Sequence, residues 1–206
     1  MTQKSEETED LRIQRTRKLI QNAFIELTVE KGFTAVTVQD ITKRAMVNRS
    51  TFYRHYLDKY DLLDHYLDEV YALIATAETS ETVEDMPGGV PAGLVSLLKH
   101  VQANADFYRI MLGVKGDPLF TQRFRQNVEK RFRYLISLRS AETKTNGIPV
   151  DLRVSYISYA DIGAILWWLE NDQPCSPEQL AGWLSQLTTA NAGFSMRPHN
   201  DSAATG

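Results

Sequence analysis

Thr37 and Asn48 are both residues of the kind that open helices, and they stand eleven positions apart. Such side chains accept a hydrogen bond from the unpaired amides of a first helical turn. Asp40, three residues after Thr37, completes the pattern of a capping box. A second opener so close confines the first helix to Val38 through Ala45, about two turns. Met46-Val47 must then form a tight turn, and a second short helix runs from Arg49 to Tyr56. Two short helices joined by a three- or four-residue turn form a helix-turn-helix. Helices this short are unstable alone, so the pair has to lean on helical neighbours.

The flanking sequence supplies them. Ile13, Leu19, Ala23, Phe24 and Leu27 form an apolar stripe on a helix that runs to Lys31 and stops at Gly32. Phe33 to Val36 reads as a short extended piece. Asp58 caps a helix from Lys59 to about Ala77. Thr79 to Gly93, rich in Gly, Pro and acid, reads as a loop. Further helices are expected over Leu94–Leu112, from Asp117-Pro118 to about Arg139, over Val150–Glu170 after an Asn146–Pro149 turn, and from Ser176-Pro177 to about Ala190. The expected fold class is all-α, about nine helices. A three-helix helix-turn-helix head at residues 11–58 is joined to a larger helical dimerisation and effector domain at 59–190. Residues 1–10 and 191–206, polar and poor in apolar residues, are expected to be disordered tails.

The net charge of −3 points weakly away from nucleic acid, but it is unevenly spread. Leu11 to Lys59 carries ten basic and four acidic side chains, whereas Tyr60 onward carries twelve basic and eighteen acidic. Within the basic segment, Ile41, Ala45, Phe52 and Tyr56 fall on inward faces and Val47 fills the turn. Arg49, Ser50, Thr51, Tyr53, Arg54 and His55 are left outward, the donors, acceptors and cations that suit base edges and phosphates in a major groove. Backbone amides at the helix openings by Thr37 and Asn48 also suit phosphate.

Across Arg15 to Leu63 the chain resembles the TetR family of bacterial transcriptional regulators. The resemblance rests on Arg17, Ala23, Phe24, Gly32-Phe33, Val36-Thr37-Val38, Asp40-Ile41, Ala45, Val47, Ser50-Thr51-Phe52-Tyr53, His55-Tyr56, Asp58-Lys59 and Leu62-Leu63, in one register. It implies that Thr37 and Gln39 contact phosphate and that Arg49, Ser50, Thr51 and Arg54 read bases. It implies phosphate contacts for Tyr53, His55 and Lys59, with Arg15 and Lys43 flanking. The family usually has glycine where this chain has Met46, at a position that favours positive φ. Further on, Asn104–Gly113 and Trp167–Leu184 resemble a C-terminal type found in dihydroxyacetone-kinase activators and YfiR-like regulators.

That resemblance also implies a homodimer built by the last two long helices, a double-stranded operator as partner, and a small-molecule effector. Ala160, Gly163 and Ala164 would let a partner helix approach, with Ile157, Trp168, Leu180, Leu184 and Leu187 as apolar area. The same stripes would serve equally as core within one chain. Phe107, Tyr108, Met111, Phe124, Tyr156 and Trp167 are the effector-pocket candidates, although aromatics at helical spacing also build cores. The expected output is repression, with effector binding shifting the Lys59–Ala77 helix and so the spacing of the two heads. The alternative is a helical interaction module that keeps the helix-turn-helix fold without operator binding; the cations at Arg49, Arg54 and Lys59 argue against it.

No catalytic motif or metal-ligand set stands out, so neither enzyme activity nor a cofactor or metal is expected. His65 with Asp61, Asp64 and Glu69 reads as an exposed helix face, and the single Cys175 as a spectator. There is no apolar run of membrane-spanning length and no signal peptide, so the expected location is the bacterial cytoplasm, on the nucleoid.

Overall fold

The computed structural model describes residues 2–79, 90–113, 116–138 and 148–192. The loop expected at Thr79–Gly93, the turn at Asn146-Gly147 and the C-terminal tail lie largely or wholly outside them.

Helix α1, Thr2–Lys31, buries Ile20, Ala23, Phe24 and Leu27 along one stripe. It reaches back through the segment expected as an N-terminal tail, where Glu, Gln and Lys favour helix and nothing breaks it. Gly32, at φ 79°, ends it and donates its amide to the Thr28 carbonyl. Phe33–Ala35 is one turn of 3-10 helix, not an extended piece, because Ala35 N–H closes back on the Gly32 carbonyl. Helix α2, Val38–Arg44, opens with the expected box: Asp40 N–H donates to Thr37 Oγ1, and Thr37 N–H donates to the Asp40 carboxylate. Met46 turns the chain at φ 53°. Helix α3, Arg49–His55, starts at Asn48, whose side chain makes no cap bond. Helix α4, Lys59–Thr79, is capped by Asp58, which accepts from the Tyr60 and Asp61 amides at 2.8 and 2.9 Å.

The single helix expected over Leu94–Leu112 is two, α5 (Ala92–Ala103) and α6 (Ala105–Leu112). Asn104 breaks them apart, its side-chain amide donating to the His100 carbonyl and its backbone leaving the helical region. Helices α7 (Pro118–Leu138), α8 (Val150–Glu170) and α9 (Pro177–Ala192) complete the fold. Asp117 caps α7, and Ser176 with Gln179 forms a reciprocal box on α9. Among the described residues there are nine α-helices and no strand. None of these helices is long and apolar enough to cross a membrane.

One continuous core runs from Ile20 in α1 to Leu184 in α9. Phe107 of α6 is its junction, meeting Phe24 of α1 at 6.0 Å, Tyr66 of α4 at 5.6 Å and Phe120 of α7 at 5.9 Å between ring centres, all edge-on. Such pairs add roughly 0.5–1.5 kcal/mol each beyond burial. The head is therefore welded to the body through α6 as well as through α4.

Candidate nucleic-acid interface

Phe52 and Tyr56 anchor α3, one fully and the other almost fully buried, and Ile41 and Ala45 do the same for α2. With those four directed inward, helix geometry turns Arg49, Ser50, Tyr53 and Arg54 to solvent, while Thr51 and His55 are half-buried beside them. Tyr53 is 50% exposed with its ring edge-on to Phe52, and the Arg49 guanidinium reaches 3.5 Å from its hydroxyl. Thr37, Gln39 and Lys43 are exposed on α2 and its cap. Thr37's side chain is already engaged with Asp40, so its use toward a phosphate is through the backbone of the helix start.

The head's charges are not all available. Arg44 forks onto Glu30 at 2.7 Å through both terminal nitrogens and reaches Glu26 at 3.1 Å, while Lys31 meets Asp40 at 2.7 Å. These partners hold the Glu30 carboxyl below its ordinary range and the Asp40 carboxyl down at about 2. Lys43, Arg49 and Arg54 carry no ion pair among the described residues. Burial, then the like charges of Arg17 and Arg54, pushes the His55 imidazole below its ordinary range. At neutral pH it thus offers a neutral donor and acceptor. Arg17 of α1, close enough to act on His55, was not among the expected site residues; its appearance in the family pattern was the available signal.

Lys59 is engaged within the head. Its ammonium donates to the carbonyls of Phe33, Thr34 and Val36 at 2.9, 3.1 and 3.0 Å and lies 4.5 Å over the Phe33 ring. An ammonium has three protons. All three are turned inward onto the 3-10 turn, so Lys59 braces the head.

In the body, the expected effector pocket is not assembled. Phe107, Tyr108, Met111 and Phe124 are buried at 1% exposure or less and packed on one another, whereas Tyr156 and Trp167 are exposed on α8. A pocket of about 510 Å³ lies elsewhere, between the start of α7 and α8, lined by Gly116, Asp117, Thr121, Gln122, Arg125 and Tyr159 among others. The expected dimer residues also divide. Ile157, Trp168, Leu180 and Leu184 are buried within the protomer, Ala164 is half-buried, and Ala160, Gly163 and Leu187 are exposed. Sequence periodicity could not separate them, because α8 is apolar on both its inner and outer faces.

The chain matches two family models: bacterial regulatory proteins of the tetR family over residues 20–66, and a transcriptional regulator C-terminal region over residues 90–190. It is similar to the crystal structure of a TetR transcriptional regulator from Streptococcus agalactiae 2603V, at 31% identity and TM-score 0.65, covering 89% of this chain and 98% of that one. The dihydroxyacetone kinase operon activator DhaS has the same fold, at 19% identity and TM-score 0.61, covering 86% and 96%. The uncharacterized HTH-type transcriptional regulator YxbF of Bacillus subtilis (strain 168) is 42% identical over 55 residues, which are 26% of this chain and only 14% of that protein's length.

Proposed function

The chain belongs to the TetR family of bacterial transcriptional regulators, and we propose that it acts as a homodimeric repressor reading a palindromic operator. The observation that carries this is the outward face of α3, where Arg49, Ser50, Tyr53 and Arg54 stand exposed on a helix anchored from behind by Phe52 and Tyr56. In this reading Arg49, Ser50, Thr51 and Arg54 meet base edges, and Thr37, Gln39, Lys43, Tyr53 and His55 meet the backbone. Lys59 is excluded from the contact set and fixes the head's shape. The functional division falls at Asp58–Lys59, although the core runs through it.

Two copies joined through α8 and α9 would carry two recognition helices to half-sites one turn of DNA apart. The exposed apolar residues of that face support the arrangement. For an effector, the pocket of about 510 Å³ at the start of α7 replaces the aromatic cluster as the candidate, since its volume falls within the ~300–1,000 Å³ of small-molecule sites. Its acid, base and amide side chains favour a polar ligand. The site of action is the bacterial cytoplasm.

Selection of bound duplexes by the purified protein tests the reading. The expected result is a palindromic site preferred at least ~10³-fold over random DNA, with affinity falling steeply as salt rises. Absence of any preferred duplex at low salt would overturn it.

A further inference from the structure

Between α8 and α9 lies a groove of about 190 Å³ whose walls are Ile157, Ala160, Ala164, Leu184 and Leu187 and which also exposes Asp161. The Asp161 side chain is in an unusual place. It is 7% exposed, and it opens on the groove. A carboxylate drawn this far from water is disfavoured in its charged form unless a nearby cation offsets the lost hydration. The volume is below the ~300 Å³ at which small-molecule sites begin. It is the scale of one large side chain.

The surroundings indicate whose side chain. Leu152, Tyr156, Tyr159, Gly163 and Trp167 recur at spacings of three and four along α8, all exposed, and Trp183 and Leu187 continue the patch on α9. A Cβ built on Gly163 meets nothing within 4 Å, so the protomer itself has no need of glycine there. Large aromatics bury roughly 150–250 Å² each when covered, so the half-exposed rings of two protomers with their leucines approach about 1,000 Å², the threshold of a specific interface. Isologous contact places each copy's groove against the other's stripe.

We propose that this groove is a socket for one large apolar side chain of a second copy, and that Asp161 at the socket makes subunit docking proton-linked. The proposal rests on the homodimer reading above and adds to it a titratable group at the contact. Arg131 of α7 acts on Asp161 electrostatically, Arg153 is buried two turns earlier on α8, and the Tyr156 phenol lines the groove. The α9 residues of the groove, Leu184, Leu187 and Thr188, bring no charge. Burial raises the Asp161 carboxyl to about 7, with Arg131 pulling it down. Covering the groove removes the remaining water and raises it further, so the docked state holds the neutral acid. Docking at pH above 7 must then take up a proton in each copy. Two protons per dimer weaken association by up to about a hundredfold per pH unit in that range.

Sedimentation velocity of the full chain across pH 6 to 8 tests this. The dimer dissociation constant is expected to rise at least tenfold from pH 6 to pH 8, and that rise to vanish in Asp161→Asn, which stays dimeric at both. The slope of log Kd against pH in the unaltered protein counts the protons taken up and needs no variant. A dimer whose affinity ignores pH, tightens with pH, or keeps its pH slope in Asp161→Asn overturns the socket proposal and leaves the homodimer standing. A protein that stays monomeric at pH 6 and tens of micromolar overturns the homodimer reading, and the socket with it.

Discussion

Met46 shows how one side chain can carry a cost that its neighbours absorb. At φ 53° it occupies a left-handed conformation, and its side chain is 89% exposed, so burial returns nothing for the strain. Met46→Gly is expected to raise stability by about 1 kcal/mol, read from urea unfolding midpoints. Lys59→Met should act in the opposite direction. Losing three charge-assisted bonds to carbonyls loosens the 3-10 turn and costs about 2 kcal/mol. It should also weaken operator binding while leaving the slope of log affinity against log salt unchanged, whereas loss of a phosphate contact would lower that slope by about one. Asp161 contributes to the pH response of stability. Burial raises its folded-state pKa to about 7 from the ordinary aspartate value of 3.8, so the unfolded chain ionises first as pH rises. The penalty builds above about pH 4 at roughly 1.4 kcal/mol per unit and levels off above about 7. Asp161→Asn should therefore stabilise the chain at pH 7 and have little effect near pH 4, in paired denaturation curves. The caps at Thr37, Asp58, Asp117 and Ser176 were legible because the partners in each lie no more than three positions apart. The Lys59 brace was not legible, because its acceptors lie more than twenty residues away.

Among the elements, α6 concentrates the connections. Phe107 joins it to the head, and Arg109 joins it to the end of α8, donating to the Leu169 carbonyl at 3.1 and 2.9 Å while pairing with Asp106 at 2.6 Å. The carbonyls of a helix's last turn lack intrahelical partners, and here an arginine from another helix satisfies one. The two segments that carry the C-terminal resemblance, around Asn104–Gly113 and Trp167–Leu184, thus meet physically at this bond. Arg109→Leu should cost about 1–2 kcal/mol and loosen the α8–α9 turn, seen as faster amide exchange at Asn171 and Gln173. The separation of α5 from α6 could not be read from the chain, because both halves are apolar at helical spacing and no Gly or Pro divides them. The break at Asn104 also serves tertiary packing: α6 crosses from α1 to α8 and buries Phe107 and Met111.

At the scale of the whole molecule, the basic head and acidic remainder keep their meaning, but the body's surface is better described by its apolar stripe than by its charge. Helix α8 fills the protomer's own core through Ile157, Ile165 and Trp168, and in the proposed homodimer it would also fill a second one through Tyr156, Gly163 and Trp167. Gly163 separates these roles. In an exposed helix interior, glycine is about 0.5–1 kcal/mol worse than a good helix former. The added Cβ has open space within the protomer. Gly163→Leu should therefore leave the protomer folded, with unchanged helical circular dichroism and slightly higher intrinsic helix stability. The same leucine would hold a partner helix off the stripe. Dimerisation should weaken at least tenfold, and the unfolding midpoint should cease to depend on protein concentration. Operator affinity should fall with it, because a single head retains only half of the palindrome's contacts. A variant that stays dimeric would place the contact on another face of the body; one that is monomeric yet as helical as the unaltered chain assigns Gly163 to the contact between copies.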